Sequence, residues 1–207
     1  GRPGWHIECS AMSSQELGET IDIHGGGADL MFPHHECEIA QSEMANGKQF
    51  VRYWLHNGFI QVDNEKMSKS LGNFFTLKDV FQKYDPKVVR FMFMQTHYRN
   101  PINFSDVLLD QAKAGLMRLH DFVRNLRTFG QTGAISSQVK VALEKAKEAF
   151  ENFMDDDFDT SGALGAIFEL VKEVNVLSNE QKLSTADAEA ILEFLTSIDS
   201  VLAVIIF

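Results

Sequence analysis

The sequence predicts an α/β layer followed by an all-α antiparallel helical bundle, on three observations. Across residues 1–65, short apolar runs alternate with glycine-rich turns, the punctuation of strands interleaved with helices. Past residue 103 the apolar residues fall at helical spacing over long stretches, with short polar connections between them. Charge changes near the same place. Residues 1–100 carry 10 basic and 12 acidic groups, a net of −2, whereas 101–207 carry 9 and 17, a net of −8. The expected domains are therefore 1–103 and 104–207.

Thr20 to His24 reads as a strand, broken by Gly25-Gly26-Gly27. Pro33 suits a first helical turn, and the pattern it opens runs from His34 to about Glu43. Phe50 to His56 is a second β-rich run. Gly58 to Val62 reads as a further strand, with Asp63-Asn64 turning into a lysine-rich loop. Polar groups gathered where strands end suggest a site at the carboxyl edge of a sheet. In the second half, helical spacing predicts Phe104–Phe129, Val139–Met154, Ser161–Leu177 and Ala186–Phe207, joined at Gly130–Gly133 and Asp155–Asp159.

Composition narrows the class. The chain of 207 residues has no apolar run long enough to cross a bilayer, and reads as soluble with no membrane partner. Two cysteines, Cys9 and Cys37, suit a reducing compartment such as the cytoplasm. The acidic second half argues against a broad nucleic-acid surface, which would be basic. Gly1-Arg2-Pro3-Gly4 resembles no initiating or signal segment, and Val201 to Phe207 leaves apolar residues at a terminus with nothing to cover them. Both ends suggest a piece of something longer.

Three constellations can carry chemistry. Lys66-Met67-Ser68-Lys69-Ser70, then Leu71-Gly72-Asn73, sets two ammonium groups three apart among hydroxyl and backbone donors. Such a clamp suits the charge that develops on a polyphosphate, and the same composition also serves as a solvated turn. His34 and Glu38 lie four apart on one helix face, with Cys9 upstream. Thiolate, imidazole and carboxylate form a Zn²⁺ ligand set, although a His/Glu pair at this spacing is also an ordinary surface hydrogen bond. His24-Gly25-Gly26-Gly27-Ala28-Asp29 lets backbone approach a ligand closely, with Asp29 able to accept from a ribose hydroxyl; a bare strand-to-helix turn reads the same way. Trp5 either stacks on a substrate or fills core. His6, His35 and His56 read equally well as satisfied, half-buried imidazoles, and Asp155–Asp157 as a solvated loop that caps the next helix.

Taken together, Gly-Trp-His-Ile-Glu-Cys at 4–9, His24 to Leu30, Phe32 to Gln41 and Trp54 to Asn73 resemble the cysteinyl-tRNA synthetase family, within class I of the aminoacyl-tRNA synthetases. The resemblance runs on through Tyr98-Arg99 and Met154 to Thr160, so it covers essentially the whole chain. It implies the second half of a Rossmann-like catalytic domain with a stem-contact region, then the helical bundle. Cys9, His34 and Glu38 match three of the family's four zinc ligands; the fourth, a cysteine of the N-terminal half, is not in this chain. The His-Ile-Gly-His motif and the anticodon-recognition domain are missing too, so the chain by itself is expected to be inactive. Cys37 stands where the family usually has asparagine. It is three residues from His34, which leaves ligation by Cys37 open beside Glu38, the ligand the match favours.

The resemblance implies ATP-dependent ligation of L-cysteine to tRNA(Cys) through a cysteinyl-adenylate, by a cytoplasmic monomer. Zinc recognises the substrate thiolate, and ATP with Mg²⁺ is the second substrate. Lys66 and Lys69 stabilise the developing charge, Lys69 making the main contact. His24, Gly25, Gly26 and Asp29 hold the nucleotide, and Trp5 touches the substrate. Two other readings fit many of the same residues: a ligase joining cysteine to an amino sugar in thiol biosynthesis, and a non-catalytic zinc-stabilised binding module. The Met154–Thr160 motif favours the tRNA enzyme over the first, and the lysine and glycine loops argue against the second.

Overall fold

The computed structural model describes residues 3–62, 65–67 and 76–206. The described residues divide into two compact units, 1–61 with 98–102, and 62–97 with 103–207. Residues 62–97 thus group with the helices, whereas the sequence expectation put the divide at residue 103. The physical reason is helix α4 (Pro86–Met94), which buries Val88, Val89, Phe91, Met92 and Met94 and packs on bundle helices.

The first unit is built on a parallel strand pair. β1 (Ile21–Gly27) and β2 (Val51–Asn57) align in register from Ile21 opposite Val51 to Gly27 opposite Asn57. Ile21, Phe50 and Val51 form its core, with Ile39 and Trp54 packed against them. The three glycines do not break the strand as the sequence reading expected; they lie inside it. A Cβ at Gly26 would stand 2.9 Å from Leu30 Cδ1 and 3.1 Å from His35 Cε1, so a bare backbone is what lets those side chains close over the sheet.

Helix α1 (His6–Leu17), which the sequence reading did not anticipate, packs on α2 (Glu36–Asn46). Ser10 Oγ donates to Gln41 Oε1 at 2.9 Å between them. Before α2, Phe32 is extended (φ −134°, ψ 132°), and the turn from Pro33 to His35 leads into the helix as Pro33 predicted. Short strands β3 (Ile60–Val62), β4 (Glu65–Lys66) and β5 (Ile102–Asn103) follow. Gly58 N–H donates to Tyr98 O at 2.8 Å, where a Cβ on Gly58 would come within 2.4 Å of Asn100 backbone; only glycine fits there.

The second unit opens with α3 (Leu77–Val80), which Thr76 and Asp79 cap reciprocally, and continues into α4. Four long helices then match the sequence expectation: α5 (Asp106–Arg127), α6 (Ser137–Asp155), α7 (Thr160–Asn179) and α8 (Thr185–Leu202). Each starts at a side chain that accepts from the first turn, namely Ser105, Ser136, Asp159 and Ser184. The buried stripe of α5, Leu109, Ala112, Leu116, Leu119, Val123 and Leu126, has the three-and-four spacing that predicted it. Asp187 is fully buried and accepts from Ser136 N–H at 2.7 Å, Ser184 N–H at 2.9 Å and Ser184 Oγ at 2.9 Å, tying the starts of α6 and α8 together.

The last helix stops at Leu202 rather than running to Phe207. Ala203 adopts φ 57°, and Val204 and Ile205 are fully buried, not uncovered as the sequence suggested. Polar groups hold this turn. Asp199 accepts from the N–H groups of Val204, Ile205 and Ile206 at 2.7–2.9 Å, while Arg90 Nε donates to Leu202 O and Lys87 Nζ to Ile206 O.

Candidate metal centre

The first unit gathers five histidines around one buried carboxylate. Glu38, on the first turn of α2, is fully buried. Its Oε2 lies 2.7 Å from His24 Nε2, on β1, and its Oε1 lies 2.7 Å from His34 Nε2. The second distance would suit an ion pair if Nε2 carried a proton. That nitrogen already accepts from Trp5 Nε1 at 2.8 Å, and Glu38 Oε1 has no hydrogen-bond donor. We therefore read the pair as acceptor facing acceptor, an arrangement that leaves a buried carboxylate oxygen unsatisfied.

Such a mismatch disappears if a cation sits between the acceptors. Cys9 Sγ completes the group: the ligand atoms of Cys9, His34 and Glu38 all lie within 4.8 Å of one another. Burial, then the charge of Glu38, then that of Glu8, pushes the Cys9 thiol up from its ordinary range, and a divalent cation reverses that preference. Sulfur, nitrogen and oxygen in one buried cluster fit zinc. His24, His35 and Glu38 make a second such group, sharing the carboxylate. Cys37 is free and half-buried and belongs to neither group among the described residues.

Imidazole packing surrounds the cluster. His6 Nδ1 meets His34 Nδ1 at 2.7 Å, and His35 Nδ1 meets His56 Nε2 at 2.7 Å. Burial is the main cause holding both His35 and His56 below the ordinary imidazole range, with nearby positive charge from His24 on both and from Arg99 on His56. Trp5 is 58 % exposed, and its ring lies 4.4 Å from that of His34, so it is an open wall of the cluster rather than core. These histidine contacts were invisible as spacing, because the partners lie on different elements.

Gly25 and Gly26 sit near the carboxyl ends of β1 and β2, where ligands of parallel sheets bind. Asp29 is exposed, in the single 3₁₀ turn Ala28–Leu30 that follows the strand. His24 lies on the same strand, but its Nε2 is turned to Glu38. Lys69 lies outside the described residues; Lys66 is placed by its backbone in β4.

Comparison with known proteins bears on this cluster and on the bundle. Residues 1–114 match the family described as tRNA synthetases class I (C) catalytic domain, and residues 149–206 match the DALR domain. A cysteine–tRNA ligase of Caldicellulosiruptor saccharolyticus is 50 % identical over 207 residues, spanning 98 % of this chain and 44 % of the relative. One from Geobacter metallireducens is 55 % identical over 188 residues, spanning 88 % of this chain and 39 % of the relative. The chain thus spans less than half the length of these relatives. The fold is similar to that of a LeuRS from Agrobacterium radiobacter K84 in a ternary complex with tRNA and LeuAMS, with TM-score 0.66 and 20 % identity over 89 % of this chain and 26 % of that one. Among the described residues no helix is long and apolar enough to cross a membrane.

Proposed function

Because the chain belongs to the family of class I (C) tRNA synthetase catalytic domains, we propose that it is part of an ATP-dependent ligase that joins L-cysteine to tRNA(Cys). The observation that carries this reading is the convergence of Cys9, His34 and Glu38 on one buried point, with Glu38 Oε1 lacking a donor. A zinc ion held there supplies the positive charge that keeps a thiol ionised and bound through sulfur.

The chain's own residues do the rest of the work. Cys9, His34 and Glu38 would hold that ion so that it takes the sulfur of cysteine in preference to the harder hydroxyl of serine, and selection needs no separate editing step. Trp5 offers its exposed indole as an apolar wall against the amino acid. Gly25, Gly26 and Asp29, with His24 on the same strand, hold the adenosine, Asp29 accepting from a ribose hydroxyl. Lys66 and Lys69 stabilise the charge that forms on the α-phosphate and on departing pyrophosphate, alongside Mg²⁺, as the cysteine carboxylate attacks. The adenylate then passes to the terminal ribose of tRNA. The match of residues 149–206 to the DALR domain supports the tRNA acceptor. The acidic balance of the second half, a net −8, confines RNA contact to local patches. We place the enzyme in the cytoplasm, as a monomer.

The test is transfer of labelled cysteine to tRNA by this chain alone and by a full-length protein that carries the N-terminal part found in its relatives. Charging by the full-length protein alone supports the reading. Transfer to an amino sugar and not to tRNA would overturn it.

A further inference from the structure

We infer that His24 and His6 are positioning residues of the metal centre: His24 holds Glu38 through Oε2, and His6 holds His34 in the tautomer whose Nε2 lone pair a metal would take in place of the Trp5 Nε1–H that it accepts in the structure. This rests on the proposed zinc reading of Cys9, His34 and Glu38 and goes beyond it, to residues that touch no metal themselves.

Glu38 is fully buried, so Oε2 needs a donor, and the group that meets it is His24 Nε2 at 2.7 Å. His24 must carry its hydrogen on Nε2 to satisfy it. With Oε2 engaged, Oε1 is the oxygen turned to His34. The His24 ring is itself fixed. It lies opposite Trp54 in the strand register, 4.7 Å from the Trp54 ring, 4.8 Å from that of His35, and meets Phe50 edge-on at 6.1 Å. A rigid strand therefore sets the angle of a carboxylate on a neighbouring helix.

His6 does the same for His34 from α1. His34 Nε2 is an acceptor, because Trp5 Nε1–H points to it. A neutral imidazole then carries its hydrogen on Nδ1, and that hydrogen reaches His6 Nδ1 at 2.7 Å. The His6 ring is set between those of Trp5 and His34, at 6.0 and 4.8 Å, and Gly4 leaves it room, since a Cβ there would stand 2.9 Å from Cδ2. Partners of this kind typically change metal affinity by about 10- to 100-fold when removed.

The test measures zinc affinity by competition with a chromophoric chelator, and the visible spectrum of the Co²⁺-substituted protein, in the full-length protein that carries the N-terminal part found in the relatives. Wild type, Cys9→Ser, His34→Ala, His24→Ala, His24→Gln, His6→Ala and His6→Asn are compared. We expect one ion per chain, and affinity about 10- to 100-fold weaker in His24→Ala and His6→Ala, with altered Co²⁺ bands. Gln at 24 restores a donor near Nε2, and Asn at 6 an acceptor near Nδ1, so both recover most of the affinity and the bands. Binding that depends on Cys9 and His34 yet is indifferent to His24 and His6, or Ala variants no worse than Gln and Asn, would overturn this inference alone. Two ions per chain, one lost in His24→Ala, would overturn it by making His24 a ligand. No binding, or binding indifferent to Cys9 and His34, would sink the zinc reading as well.

Discussion

Replacing Glu38 by Gln should separate stability from metal binding, because the buried carboxylate is badly partnered without a cation. In the structure Oε1 faces the lone pair of His34 Nε2 at 2.7 Å and has no donor, while Oε2 is satisfied by His24. Gln keeps an oxygen for His24 and turns an N–H donor toward His34. Leaving a buried polar atom unsatisfied costs about 1–3 kcal/mol, so the metal-free variant should be more stable by that amount. For a chain of this size that is about 2–4 °C in melting midpoint for each kcal/mol. Zinc should stabilise the wild type by about 4 kcal/mol at a thousandfold excess over its dissociation constant, and should leave Glu38→Gln almost unmoved. The assay is calorimetric melting of both proteins with EDTA and with zinc. A metal-free variant that melts below wild type would show that Glu38 Oε1 is not an unsatisfied acceptor, and one that keeps the full zinc shift would show that Glu38 is not a ligand.

Three further outcomes follow from other parts of the molecule. Lys69→Ala in the full-length enzyme should lower adenylate formation about a hundredfold or more, read by cysteine-dependent pyrophosphate exchange; unchanged exchange removes Lys69 from the proposal. Asp187→Ala strands the buried Ser184 N–H and the half-buried Ser136 N–H, while the Ser184 hydroxyl keeps Ala134 O as an acceptor, and should destabilise the helical unit by about 2 kcal/mol or more in urea denaturation. Asp159 is held below the ordinary carboxylate range, first by the Ser161 hydroxyl and then by Gly162 N–H. Its folded value is therefore the lower one, so its contribution is present above the unfolded value of about 3.9 and is lost as pH falls through the folded value. The urea-midpoint gap between wild type and Asp159→Asn should persist at neutral pH and close in acid; a gap that widens below pH 4 contradicts the assignment.

The helices of the second half were legible because apolar stripes and capping residues agree. Ser105, Ser136 and Ser184 stand just before the first turns, and the spacing of Leu109 to Leu126 is helical throughout. Helix α1 was hidden for the opposite reason. It buries only Ser10 and leaves Ile7, Met12 and Leu17 exposed, so it has no stripe to read. Helix α4 did carry a signal, Asp85 as cap and Pro86 at the first position, that could have found it. Gly25–Gly27 looked like a break because glycine usually ends strands, and only the partner strand explains them. The final turn was misread because the Asp199 carboxylate captures three backbone N–H groups that an apolar run seems to commit to a helix.

The site divides the same way. His34 and Glu38, four apart, could be paired by counting, although His34 lies in the turn just before α2; Cys9 was grouped with them by its chemistry, and the packing of α1 on α2 is what delivers it. His24 to Glu38 and His6 to His34 are contacts between residues 14 and 28 positions apart on separate elements. No periodicity encodes such pairs.

On the proposed reading, a zinc ion on Cys9, His34 and Glu38 takes the sulfur of the substrate. X-ray absorption at the zinc edge of the zinc-loaded full-length protein, with and without L-cysteine, tests it most directly. We predict one additional sulfur neighbour at about 2.3 Å when cysteine is added, and no change with L-serine. A sulfur count that cysteine leaves unchanged would mean that the substrate sulfur is not a zinc ligand.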